Sequence, residues 1–254
     1  MKVSVVCPVH NEEAIIEQSL SSLLRQTVLP NEVIIVDNNS TDRTYSIIKS
    51  LQPKFEKRGV YLVPLSCVNG NQIEARILGF GTAKHELIVS MDADTVFKID
   101  WFEKATKFFS ANPDVVAVGG RILYDDAVIT FFHSLVFFFY RLFPRRYNFY
   151  GSNAAFRKGA YLESDGLKGC RMTYETKKFQ EPYDDVYLSF MLKVMGQVVP
   201  VPELIVHGLS RKDGEHVSLV RALGRLLRQL RETLWLQKHL LNKVERATIS
   251  RNST

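Results

Sequence analysis

The chain has 254 residues, 46% of them hydrophobic and 24% charged, which makes one large domain, or one domain with an appendage, with core enough to need no staples. Its three cysteines, Cys7, Cys67 and Cys170, are an odd number at wide spacing, which excludes a disulfide framework and a zinc pattern and predicts a reducing compartment. The formal charge of +6 is uneven: residues 208–254 hold ten Lys/Arg against four Asp/Glu, and the remainder balances. A neutral globule with a basic tail suits an anionic partner, a membrane surface or nucleic acid, or a plain solvated helix face.

The N-terminus lacks the long apolar stretch of a signal peptide, and no run reaches the roughly 18–20 apolar residues of a spanning helix. The expectation is a cytoplasmic protein, with peripheral attachment to the inner membrane face as an option.

In chain order, Val3 to Cys7 is a buried strand stopped by Pro8. A turn through Val9, His10, Asn11 and Glu12 leads into a helix with Ile15, Ile16, Leu20, Leu23 and Leu24 on one face and Asn11 as its expected N-cap. Glu32 to Val36 is a second buried strand, ending at Asp37-Asn-Asn-Ser-Thr-Asp-Arg-Thr44, where Ser40 or Thr41 is expected to cap the next helix. Val60 to Pro64 is a third strand, followed by a turn at Asn69-Gly70-Asn71 and a helix from Gln72 to about Ala83. Leu87 to Met91 is a fourth.

That alternation predicts an α/β fold: a mainly parallel sheet with right-handed crossovers and helices on both faces. The fourth strand ends abruptly in Asp92-Ala-Asp94. Carboxylates at the end of a buried strand are costly without a positive partner, and ligands bind at the carboxyl ends of such sheets. The pair therefore reads either as oxygen ligands for Mg²⁺ or Mn²⁺ or as a cap for the helix near Asp100. Asp37 similarly reads as a ligand or as a cap near Thr41, and Arg76 as a site residue or a surface partner of Glu74 or Glu86. The glycine fingerprint of dinucleotide folds is absent after the first strand.

Pro8-Val-His-Asn-Glu12, Val36-Asp-Asn-Asn-Ser-Thr-Asp42, Ala75-Arg76 and Asp92-Ala-Asp94, in this order and spacing, resemble family 2 glycosyltransferases of the GT-A fold. The resemblance implies that residues 1–100 hold a nucleotide-diphosphate sugar. Pro8, Val9, His10 and Glu12 would line base and ribose, Asp37 would accept from the base edge, and Arg76 would sit near the nucleotide. Asp92 would meet ribose or metal, and Asp94 a Mn²⁺ or Mg²⁺ ion bridging the phosphates.

The resemblance continues through residues 101–212, the expected acceptor half. Gly151-Ser152-Asn153 resembles the loop under donor sugar and acceptor, although a simple turn explains it too. Asp184-Asp185-x-x-Leu188 resembles the family's Glu-Asp-x-x-Leu motif, with Asp184 where Glu is usual; it implies Asp185 as the general base that deprotonates an acceptor hydroxyl. First-turn acids on a helix are the plainer explanation. Gln197 to Val206 reads as an edge strand broken by prolines, and the resemblance implies that His207 after it completes the metal site. Arg211 and Lys212 are further phosphate candidates. One base opposite the leaving group implies direct displacement with inversion, onto a glycan or lipid-linked hydroxyl.

Two segments stand outside these motifs. Ala127 to Phe143, rich in Phe and followed by Arg145 and Arg146, is either a helix packed beside the acceptor cleft or an interfacial segment extending over 127–150. Residues 213–254 form an expected basic amphipathic tail, helical over about 217–246, that packs on the body, lies on anionic lipid or pairs in a homodimer. No nucleic-acid motif is present. The competing readings are a nucleotidyl- or phosphotransferase with Asp92, Asp94, Asp184 and Asp185 as a two-metal cage, and a non-catalytic nucleotide-sugar or membrane-binding module.

Overall fold

A computed structural model describes residues 1–68, 71–142, 147–170, 184–209 and Lys238. The expectations for Asn69, Gly70, Arg145, Arg146, Arg211, Lys212 and the tail 213–254 lie outside the described residues, Lys238 excepted.

Four parallel strands open the chain: β1 (Val3–Val9), β2 (Glu32–Asp37), β3 (Tyr61–Ser66) and β4 (Leu87–Ser90). Between them lie α1 (Ile16–Leu24), α2 (Thr44–Glu56) and α3 (Gln72–Thr82). Then follow β5 (Thr95–Phe97), α4 (Trp101–Ala111), β6 (Val115–Tyr124), α5 (Ala127–Leu142), β7 (Ala154–Arg157), α6 (Lys158–Glu163), α7 (Asp184–Lys193) and β8 (Gln197–Gly208).

The eight strands among the described residues join one sheet in the order β3-β2-β1-β4-β7-β6-β8-β5. β7 runs antiparallel between β4 and β6, and β5 antiparallel beside β8. The other six run one way, so the sheet is mixed and mostly parallel, as the alternating elements predicted.

β1 is buried along its whole length, because it is covered on both faces. Val3, Val5, Cys7 and Val9 face a core with Ile16, Leu20 and Leu23 of α1, Phe55 of α2 and Trp101 and Phe102 of α4. Val6 faces the other core, with Ile73 and Phe80 of α3, Tyr161 of α6 and Leu188 and Leu192 of α7. Period-two alternation in the strand thus feeds both layers.

Two expectations change. Asn11 is not a helix cap: its φ is +53°, a conformation Asn tolerates, and α1 begins only at Ile16. Neither Ser40 nor Thr41 caps α2, which starts at Thr44 with Asp42 Oδ1 accepting from Thr44 N at 2.9 Å. β8 is next to last in the sheet, but β5 lies beside it only at residues 206–208, so its proline-bearing stretch is the open edge the prolines implied. Its prolines survive because β5 pairs only with residues 206–208, while the β6 ladder is irregular between Gly119 and Arg121, opposite Pro200 and Ile205; Pro200 and Pro202 therefore fall where few ladder donors are needed.

Candidate functional site

The site forms at the carboxyl ends of β1, β2, β4 and β6. The loops after β1 and β2 are laced together almost residue by residue. His10 Nδ1 lies 2.8 Å from Asn38 O. Asn11 Oδ1 accepts from Thr41 N at 2.8 Å, and Asn11 N donates to Ser40 Oγ at 3.0 Å. Glu12 N donates to Thr44 Oγ1 at 2.7 Å, and Glu13 Oε2 accepts from Arg43 N at 2.9 Å. The polar residues after both strands, which looked like caps for their own helices, hold each other instead. The result is a rigid wall beside Val9 and Asp37, which are partners in the β1–β2 ladder.

Asp37 is only 6% exposed, and its Oδ1 finds no hydrogen-bond partner among the described residues. A buried carboxylate oxygen left without a donor is costly, which is the expected state of a group whose donor arrives with a ligand. Asp37 does not cap α2.

Asp92 and Asp94 occupy a tight turn between β4 and β5, closed by Thr95 N to Asp92 O at 3.1 Å. They do not cap α4, whose preceding Asp100 pairs with Lys104 at 2.7 Å. Arg76 is not a surface residue either. Asn71 caps α3, accepting from Ile73 N and Glu74 N. One turn further on, Arg76 is buried at 3% exposure. Its Nη2 donates to Asp92 Oδ1 at 2.6 Å and its Nη1 to Asp184 Oδ2. Burial opposes the Arg76 charge, but Asp184, Asp92 and Asp185 more than offset it and hold the guanidinium above its ordinary range.

This fork brings the strand-end acids and the start of α7 into one pocket. Gly151 closes it from the side: a Cβ there would lie 2.6 Å from both terminal nitrogens of Arg76. Gly151 N donates to Asp185 Oδ2 at 3.3 Å, and Asp185 Oδ1 accepts from Val186 N at 2.7 Å. Burial first, and the Asp184 charge second, push the Asp185 carboxyl up to about 7. Ser152 is half-buried. Asn153 is fully buried and spent on structure: its Oδ1 accepts from Trp101 Nε1 at 2.9 Å, and its Nδ2 donates to Arg121 O at 2.9 Å and Leu204 O at 3.0 Å. Its side chain locks the loop rather than facing the pocket. With Asp92 and Asp184 both engaged by Arg76, a four-carboxylate two-metal cage is not what the structure holds.

Among the described residues, no three His, Cys, Asp or Glu side chains gather to cage an ion unaided. The exposed His207 pairs with Val96, and Leu209 N donates to Asp94 O at 2.7 Å, so His207 stands two ladder positions from the residue opposite Asp94. A carboxylate and an imidazole at one sheet end fit an ion that takes its remaining ligands from phosphates and water.

Sequence reasoning passed over the pocket's aromatic wall. Tyr124 ends β6, and burial, then Asp94 and Asp92, push its phenol up to about 12. Its ring lies 4.9 Å from that of His133, which lies 5.3 Å from that of Tyr150. The Tyr150 and Tyr140 phenols are also raised, chiefly by burial, with Asp185 contributing. The signal was available: Tyr124 closes a parallel strand at the same end as Asp37 and Asp92. Cys7 reports the same crowding, its thiol raised by burial and then by Asp92 and Asp94.

In sequence and in fold the chain is similar to known glycosyltransferases. Curated relatives include an uncharacterized glycosyltransferase of Haemophilus influenzae, 31% identical over 120 residues, covering 47% of this chain and 36% of that protein. Another is the glucosyl-dolichyl phosphate glucuronosyltransferase of Haloferax volcanii, 27% identical over 179 residues, covering 65% of this chain and 56% of that protein. The chain spans about a third to a half of the length of the first such relatives. Among solved structures, the mannosyltransferase PcManGT from Pyrobaculum calidifontis, in complex with GDP-Man and Mn²⁺, superposes with a TM-score of 0.69 at 23% identity, over 92% of this chain and 64% of that one. GalNAc-T7 with UDP, GalNAc and Mn²⁺ gives 0.62 at 14% identity, over 84% and 45%. At those identities the structures speak for the fold, a GT-A-like α/β sheet. The model of glycosyl transferase family 2 matches residues 4–173, about two thirds of the sequence, and the chain belongs to that family.

Proposed function

We propose that the chain moves a sugar from a nucleotide-diphosphate sugar to an acceptor hydroxyl by direct displacement with inversion. Residues 1–100 form the donor half, residues 101–212 the acceptor half, and the basic tail 213–254 is an appendage. The observation that carries this reading is Asp185, a carboxyl pushed up to about 7 that shares a pocket with Arg76, Asp92 and Asp184.

The nucleotide base and ribose lie along the laced wall of Pro8, Val9, His10 and Glu12. Asp37 supplies the base edge with the acceptor its buried Oδ1 now offers to nothing. Asp92, held by Arg76 on one oxygen, turns toward the ribose. Asp94 and His207 would hold a divalent cation such as Mn²⁺ or Mg²⁺. When bound, that ion neutralises charge on the departing diphosphate; the PcManGT and GalNAc-T7 structures contain Mn²⁺.

On the acceptor side, Gly151 and Ser152 leave room for a hydroxyl to approach Asp185. A sugar hydroxyl is a weak nucleophile at neutral pH. Asp185 takes its proton as the new bond to the anomeric carbon forms and the bond to the diphosphate breaks. A base tuned near the operating pH is suited to this. Asp184 stays on Arg76 and keeps the loop, the helix start and the strand end in register.

The test is product analysis with nucleotide sugars, Mn²⁺ and an array of glycan and lipid-linked acceptors. Release of nucleoside diphosphate with an inverted glycosidic bond supports the reading. Release of pyrophosphate or nucleoside monophosphate contradicts it.

A further inference from the structure

α5 has two apolar sides, and among the described residues only one of them is packed against the body. Thr130, His133, Phe137 and Tyr140 recur at helical spacing on the inner side: Phe137 is buried against Tyr147, His133 stands between Tyr124 and Tyr150, and Thr130 bonds Tyr124. The outer side carries Phe131, Phe132, Phe138 and Phe139, with Val128, Leu135 and Leu142 along the same line. These seven side chains are between 40% and 62% exposed. At 100° per residue they fall within an arc of about 120°, so they form one continuous stripe rather than scattered exceptions. Monomeric soluble proteins rarely leave such a stripe to water.

The composition of the stripe selects its occupant. A helical partner wants a narrow seam of Leu, Ile or Val with charged flanks for register. Here paired phenylalanines at 131–132 and 138–139 make a broad, bulky face with no such flanking charge pattern. The helix is capped at its start by Asp126, whose Oδ1 accepts from Val128 N and Ile129 N. It is basic at its end, with Arg141 and, next in sequence, Arg145 and Arg146. Aromatic bulk beside arginines is the chemistry of the lipid–water interface. The helix is 16 residues, or about 24 Å, against a hydrocarbon core of about 30 Å. No described helix is long and apolar enough to cross a membrane, so α5 would lie in the plane of a monolayer.

We propose that the outer face of α5 docks on an anionic lipid bilayer, bringing the pocket beneath it to the headgroups. The inner side of the same helix supplies His133 and Tyr140 to the wall beside Asp185, so one rigid element links the lipid surface to the site. On the transferase reading, the acceptor hydroxyl is then carried by a membrane lipid; docking itself does not depend on that reading.

The experiment is cosedimentation of the full chain with vesicles of phosphatidylcholine, with and without phosphatidylglycerol. The wild type should bind the anionic vesicles, and the triple variant Phe131→Ser, Phe138→Ser, Phe139→Ser should bind at least tenfold more weakly with an unchanged circular dichroism spectrum. Because that variant could fail to fold, Phe138→Trp read with brominated lipid is the second arm, with fluorescence quenching beyond that of the wild type expected. No binding by the wild type, equal binding by the triple variant, or no added quenching would overturn the proposal. So would a wild-type dimer, seen by light scattering, that the triple variant dissolves while vesicle binding is unchanged. Vesicle binding without any sugar transfer would leave docking standing and remove the transferase reading.

Discussion

Asp92 and Asp184 come from opposite halves of the chain, yet they are held by the two terminal nitrogens of one buried guanidinium, that of Arg76. Removing the cation leaves acids facing each other out of water. Arg76→Gln should therefore cost about 3–5 kcal/mol of stability, lowering the melting temperature by roughly 10 °C. Arg76→Lys keeps the charge but loses the fork and should fall between. Urea unfolding of the three proteins checks the order.

Asp185 gives a pH signature. Its folded carboxyl titrates near 7, well above the ordinary 3.8, so between these values the folded state holds a proton the unfolded state has released. Stability should then decline as pH rises from about 4 to about 7, and level off above. Asp185→Asn removes that decline and should be more stable than the wild type at pH 8 by on the order of 1–3 kcal/mol. Denaturation at pH 5 and pH 8 checks both the sign and the window.

Asp37 should separate binding from folding. Its buried Oδ1 has no donor among the described residues, so Asp37→Ala deletes a desolvated group without orphaning another. Thermal stability should be unchanged or higher, while nucleotide affinity drops at least tenfold, about 1.4 kcal/mol. Thermal melts and calorimetry with a nucleoside diphosphate and Mn²⁺ read the two effects separately.

Gly151 tests the packing of the fork. A methyl group there meets the Arg76 guanidinium, and overpacking of this kind costs about 1–3 kcal/mol. Gly151→Ala should lower turnover more than donor affinity, because the guanidinium it displaces aligns Asp184 beside Asp185. Steady-state kinetics with calorimetry checks this.

The first four strands were legible because each is a short, mostly apolar run, buried on both faces in β1, β2 and β4 and half-buried in the edge strand β3, and the polar residues after them marked the ligand end of the sheet. Other features depend on distant pairing that no local pattern carries. β7 is four residues, Ala-Ala-Phe-Arg, and becomes a strand only because β4 and β6 flank it. The prolines of β8 pointed to an edge, and they stand in the stretch that β5 leaves unpaired; the three-residue β5 itself, paired only with residues 206–208, left no such mark. Asn11 and Thr41 each looked like a cap for its own helix, and their bond to one another is visible only once β1 and β2 lie side by side. In the site, the motif residues stood out as carboxylates at strand and helix ends. Tyr124, Tyr150 and His133 did not, since an aromatic side chain reads as core until its neighbours are known.

The most direct measurement pairs calorimetry with kinetics on Asp185→Asn. If Asp185 is the base, the variant should bind donor nucleotide with the wild-type affinity while transfer falls about 10²–10⁴-fold. Donor affinity that collapses together with transfer, or transfer that survives at the wild-type rate, would contradict the account.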